Sequence, residues 1–163
     1  MSLAAFGCNP DLRYSPPARG ESLNVGFEPG TIGSSPSGQM CVFVQADGAI
    51  DADRLIAIEA GYRARQRTSA TIVHGSRLGV ATEAFADDEY GWLVVWGEAQ
   101  VNAAADVSAG NALNLHASSA GDVQPATANT PEILGIHATT AVDVSAQADD
   151  RITATLAFPV NRA

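Results

Sequence analysis

Trp92-Leu-Val-Val-Trp-Gly-Glu-Ala-Gln-Val101 is the run on which the fold class turns. It is rich in aromatic and β-branched residues, the types that favour a pleated strand. Arg77-Leu-Gly-Val-Ala-Thr-Glu-Ala-Phe85 precedes it, and the acidic turn Asp87-Asp-Glu-Tyr-Gly91 separates the two. The pair predicts a hairpin, with Gly79 marking a bulge or a close backbone approach. The same texture continues on both sides. Gln39–Ala46 is a β-branched and aromatic run closed by Asp47-Gly48, and Arg54–Ala60 alternates up to Gly61. Tyr62–Arg67, Ala70–His74, Ala112–His116, Glu132–Thr140 and Arg151–Phe158 predict further strands, with Pro159 as a breaker. Residues 117–131 read as a small, polar loop. Asp51-Ala-Asp53 fits the cap of a single helical turn. Short strands with turn signals every ten residues or so predict an all-β domain, a sandwich or small barrel with little helix.

The chain has 163 residues, the size of one domain, or of one domain plus an arm. Hydrophobic residues make up 46%, enough for a core, but aromatics only 6%. With Ala close to a fifth of the chain, that core is thin or shared with neighbouring chains. The nine basic residues are all Arg, against 18 acids, for a net charge of -9. Such a surface repels phosphate backbones and argues against nucleic acid as a partner. No apolar run approaches the roughly 20 residues needed to span a bilayer, and the N-terminus lacks the pattern of a secretory signal. Two cysteines, Cys8 and Cys41, cannot build a disulfide scaffold.

Residues 1–38 differ from the rest. Five prolines and six glycines punctuate them, and no apolar period persists. The expected organisation is an extended Pro/Gly-rich N-terminal arm over 1–38 and a β-barrel-like domain over 39–163. Leu3, Phe6, Leu12, Tyr14, Leu23, Val25, Phe27 and Ile32 give the arm hydrophobes that a purely solvating tail would lack. The arm is therefore expected to be laid on another surface.

Motifs for chemistry are weak. His74, His116 and His137 stand alone in separate segments without metal-ligand spacing. Ser34, Ser35 and Ser37 lack a nucleophile elbow, and Cys41 reads as a buried, inert thiol. Asp87, Asp88 and Glu89 supply adjacent carboxylates, read first as a solvated turn. No catalytic, cofactor or metal residue is assigned, and the chain is expected not to be an enzyme. Arg63, Arg65 and Arg67 form a comb at period 2, either a solvent-facing strand or a surface for carboxylates of a partner. Trp92 and Trp96, four apart on a strand, are expected on one face as core or subunit-interface anchors.

The run Arg77-Leu-Gly-Val-Ala, then Glu89-Tyr-Gly-Trp-Leu-Val-Val-Trp-Gly-Glu-Ala-Gln-Val101, Val107-Ser-Ala-Gly-Asn-Ala-Leu113 and Ile133-Leu-Gly-Ile136 resembles the tailed-bacteriophage head decoration (capsid cement) proteins. The resemblance implies a small β-barrel or β-tulip-like domain with a long extended N-terminal arm. It implies a virion structural protein on the capsid exterior, assembled in the host cytoplasm, that binds and stabilises the capsid. The implied partners are the major capsid protein and further copies of the chain as a homotrimer, with no nucleic acid and no membrane. Partner-binding positions would then be Phe6, Leu12, Tyr14, Phe27, Ile32, Arg63, Arg65 and Arg67, with Trp92 and Trp96 at the oligomer interface. A head-fibre base or minor tail component fits the same pattern. Two other classes stay open: a carbohydrate- or receptor-binding module using Tyr90, Trp92 or Trp96, and a carboxylate-dependent hydrolase.

Overall fold

The computed structural model describes residues 7–18, 23, 25–127, 133–145 and 150–161. Its strands are β1 (Arg13–Tyr14), β2 (Ile32–Ser34), β3 (Met40–Ala46), β4 (Arg54–Ile58), β5 (Arg63–Gln66), β6 (Arg77–Ala81), β7 (Tyr90–Asn102), β8 (Leu113–Leu115), β9 (Val123–Pro125), β10 (Ile133–Ala138) and β11 (Arg151–Asn161). The helical content among the described residues is one 3-10 turn at Ala60–Tyr62. The protein is all-β, as the strand signals predict. No helix among these residues is long and apolar enough to cross a membrane.

Nine strands form one mixed sheet, and β8 pairs with β9 in a second. The pairings β3–β5, β5–β4, β4–β6, β6–β7 and β7–β3 return to their starting strand, which makes the sheet barrel-like. Only β3–β5 in that circuit is parallel. Alternation along each strand then creates two cores. Val42, Val44, Ile56, Ile58, Ala64, Leu93 and Val95 face one another inside the ring, joined by Ile50, Ala81 and Phe85. The alternate residues Cys41, Phe43, Leu55, Ala57, Leu78, Trp92 and Val94 face outward. They are covered by Leu113 and Leu115 of β8, Val123 of β9, Ile136 of β10, and Ile152, Ala154 and Leu156 of β11. Strands buried on both faces explain the near-continuous apolar runs of β3 and β4. Small residues suit the narrow interior: Ala46, Ala64 and Ala81 are fully buried there.

Several boundaries differ from expectation. β6 pairs along its whole length with β4 and meets β7 only at Val80↔Val94, so residues 77–85 and 91–101 do not form a simple hairpin. Gly79 permits that approach, because a Cβ there would lie 2.9 Å from the Leu93 Cβ. Residues 70–74 are not a strand. The Thr68 amide donates to the Thr71 hydroxyl and the Ile72 amide to the Thr68 carbonyl, closing a local turn instead. Residues 117–131 contain β9. Residues 51–53 make no helical turn. β11 runs through Pro159, because the register against β10 shifts between Leu134 and Ile136 and the ladder needs no donor there.

The described part of residues 7–38 lies on this domain itself. β1 pairs with β7, and β2 with β3. Cys8 is buried, and Leu23, Val25, Tyr14 and Phe27 pack against the outer core. The Pro/Gly punctuation limits this segment to short strands and turns but leaves its hydrophobes free to pack. Phe6 lies outside the described residues, as does Leu3.

Candidate functional site

Six large hydrophobic side chains are exposed among the described residues: Leu12, Ile32, Val73, Trp96, Leu134 and Phe158. Four of them converge. Met40 of β3 and Ala157 of β11 flank Trp96 in register, and the Trp96 and Phe158 rings lie 5.7 Å apart, tilted by 39°. Ile32 on β2 is 52% exposed, and Leu134 stands opposite Val160 on the β10–β11 ladder. Between Ile32, Tyr62, Val95, Phe158, Pro159 and Val160 lies an apolar cleft of about 80 Å³, opening onto the interior core at Val42, Ile58 and Val95. The Arg77 guanidinium sits 5.7 Å from the Tyr62 ring centre at its edge. Exposed apolar side chains gathered in this way stand out on a chain of net charge -9.

A bulge makes this patch. β3 and β7 pair Cys41↔Val94 but Met40↔Trp96, so Val95 is an extra residue on β7. One added residue reverses the alternation. Trp92 therefore points into the outer core, 1% exposed, while Trp96 points the other way and is 45% exposed. The two tryptophans do not share a face, and Trp92 is a core residue of its own subunit. It meets Phe27 edge-on at 5.0 Å and Phe43 at 5.0 Å. Tyr90 stacks on Phe43. Of the rings Tyr90, Trp92 or Trp96 offered to a sugar-binding reading, Trp92 is buried and Tyr90 is stacked on Phe43, so the two tryptophans do not form an exposed coplanar pair and Trp96 alone stands on the surface.

The other sequence-predicted positions are dispersed. Leu12 and Ile32 are exposed, whereas Tyr14 and Phe27 are half-buried against Phe43. Arg13 ties its segment down. It donates to the carbonyls of Pro10, Leu12, Glu83 and Ala84 and lies 3.9 Å from the Phe85 ring centre. Burial lowers its pKa to about 10, which leaves it charged at neutral pH. Arg63 and Arg65 project from the outer face of β5 and share Asp47, at 3.1 and 2.9 Å. Arg63 also reaches Asp88 at 3.3 Å, and its pKa is raised, chiefly by the Asp47 hydrogen bond. Arg67, just past the strand, holds Glu59. All three thus have carboxylate partners within the chain, which sequence reasoning missed because those acids lie in turns brought close only by the fold.

The acidic turn is similarly engaged. Asp87 accepts from the Gly48 amide, Asp88 from Gln45 and Arg63, and Glu89 from the Ala86 amide. His116 accepts from the Ser119 amide through Nδ1. No group of three or more His, Cys, Asp or Glu suited to a metal occurs among the described residues.

No family model matches the chain, and no curated protein matches it. Among solved structures, the fold is similar to the head fiber gp8.5 N base of bacteriophage phi29, with a TM-score of 0.52 and 15% sequence identity. The superposition covers 76% of this chain and 98% of that one, so the two share a fold over essentially the whole of the phage domain.

Proposed function

We propose that the chain is a structural protein of a phage virion that assembles as a homotrimer and seats on the outer face of the head, stabilising the capsid. The observation that carries this reading is the exposed Ile32, Trp96, Leu134 and Phe158 patch, on a fold shared with a head-fibre base. Aromatic and aliphatic anchors around a cleft are the composition of an interface centre. In this reading the chain performs no catalysis: its acids and arginines hold turns together, and its apolar rim holds copies together. The major capsid protein is the partner of the assembled trimer, reached through the remaining polar surface and Leu12. The test is light scattering of the purified chain, followed by co-sedimentation with heads that lack it. Trimers that bind heads and raise their resistance to heat support the proposal. Monomers that stay in the supernatant contradict it.

A second reading is favoured by the structural similarity: the trimer is the base of a head fibre. Heads lacking a cement protein lose heat resistance, whereas heads lacking a fibre base lose only a protrusion. Thermal rupture of particles with and without the chain separates the two.

A further inference from the structure

The segment from Gly7 to Tyr14 forms a strap. It starts at β2, where Gly7 bridges Ser34 and the Cys8 amide donates to the Ser34 carbonyl at 3.0 Å. It ends at β7, where Arg13 pairs with Gly91. Between those strands lies β3, paired with β2 on one side and β7 on the other. The strap therefore crosses the face of β3 that carries Cys41 and Phe43. Cys8 and Cys41 are both free, both buried, and members of the same outer core. Their side chains are near enough to interact. Burial first, and the Cys8 thiol second, push Cys41 well above the ordinary thiol range. Cys8, though buried, borders a groove with Asn9, Pro10, Asp11 and Ser35, the side from which a small reagent would approach it.

We propose that Cys8 and Cys41 are a latent disulfide pair that closes by exchange with a small disulfide oxidant and locks the N-terminal strap onto the barrel. The Cys8 thiolate attacks one sulfur of oxidised glutathione, forms a mixed disulfide and releases one glutathione thiolate. The Cys41 thiolate then attacks the Cys8 sulfur, forms the intramolecular bond and releases the second. Each protein thiol proton passes through solvent to a leaving glutathione, so two protein thiols and one oxidised glutathione give one protein disulfide and two reduced glutathiones. The upward push on Cys41 disfavours its thiolate, so the second step speeds up as pH rises. In a reducing cytoplasm the pair stays open; outside a cell it closes.

The experiment uses the reduced full-length chain with oxidised glutathione at about pH 9. Mass spectrometry should show the loss of two hydrogens within one chain, and peptide mapping should join the Cys8 and Cys41 peptides. The melting temperature should rise by roughly 8 °C, since the crosslink closes a long loop of the unfolded chain, and dithiothreitol should reverse it. Cys41→Ala should stop at a stable mixed disulfide on Cys8, and Cys8→Ser should form neither product. A wild-type chain that stops at the mixed disulfide, forms only disulfides between chains, or fails to react until denatured would overturn the pairing. Closure without a rise in melting temperature would overturn the lock.

Discussion

Replacing Phe27 with Ala tests whether the N-terminal segment belongs to the folded domain. The ring is half-buried and contacts Trp92 at 5.0 Å and Phe43 at 5.8 Å. Full burial of a Phe side chain contributes about 1.5–3 kcal/mol, so a half-buried one contributes roughly 1–1.5 kcal/mol. Each aromatic pair adds about 0.5–1.5 kcal/mol, and the pairs with Trp92 and Phe43 are both lost. The total is about 3 kcal/mol. For a domain of this length, 1 kcal/mol moves the melting temperature by roughly 2–4 °C, so a fall of about 9 °C is expected. Far-ultraviolet circular dichroism follows the melt, and fluorescence of the buried Trp92 should shift to the red as its shield is removed. An arm that merely awaits another surface would lose nothing in the isolated chain. A melting temperature within about 1 °C of wild type would therefore refute the packing argument.

Further outcomes follow from the same geometry. On the proposed trimeric assembly, Trp96→Ser combined with Phe158→Ser should leave monomers in light scattering while the far-ultraviolet spectrum is kept, because both side chains are exposed in the single chain. Gly135→Ala should lower the urea midpoint by an amount worth about 2–4 kcal/mol. The backbone there has φ +81, and a Cβ would stand 2.6 Å from the Ala157 carbonyl oxygen. Asp47→Asn should weaken the hold on Arg63 and Arg65 together, yet cost no more than about 1 kcal/mol in a denaturant titration, because the pairs are partly solvent-exposed. Arg13→Ala should speed limited proteolysis between residues 7 and 18 well before the barrel is cut, since it removes four carbonyl contacts.

Strand identity was legible in the sequence where local chemistry decides it. The runs at 40–46, 54–58, 90–102 and 151–158 carry enough β-branched and aromatic residues to declare themselves. Pairing was not legible, because it is set by contacts between distant segments: β6 prefers β4 over its neighbour β7. The face of Trp96 was hidden for a sharper reason. Strict alternation places positions 92 and 96 together, and only the extra Val95, opposite a step in β3, turns one of them outward. The hydrophobes of residues 7–38 read as an arm for another surface, whereas the described ones pack largely on the chain's own domain. That Tyr14 and Phe27 find it on Phe43 and Trp92 depends on a rim of rings assembled from β3 and β7, which no local pattern encodes. Period 2 did place Arg63 and Arg65 on one strand, but their carboxylates come from turns at 47 and 88.

We propose that the chain is an external part of a phage head. The direct measurement is to purify particles of the phage whose genome encodes it and remove loosely bound protein with salt. The chain is then quantified against the major capsid protein by mass spectrometry, with antibody-gold labelling in the electron microscope to locate it. The expected result is many copies per particle, retained through the wash, with gold distributed over the outside of the head. Particles that carry none of the chain, or that carry it only on the tail, would contradict it.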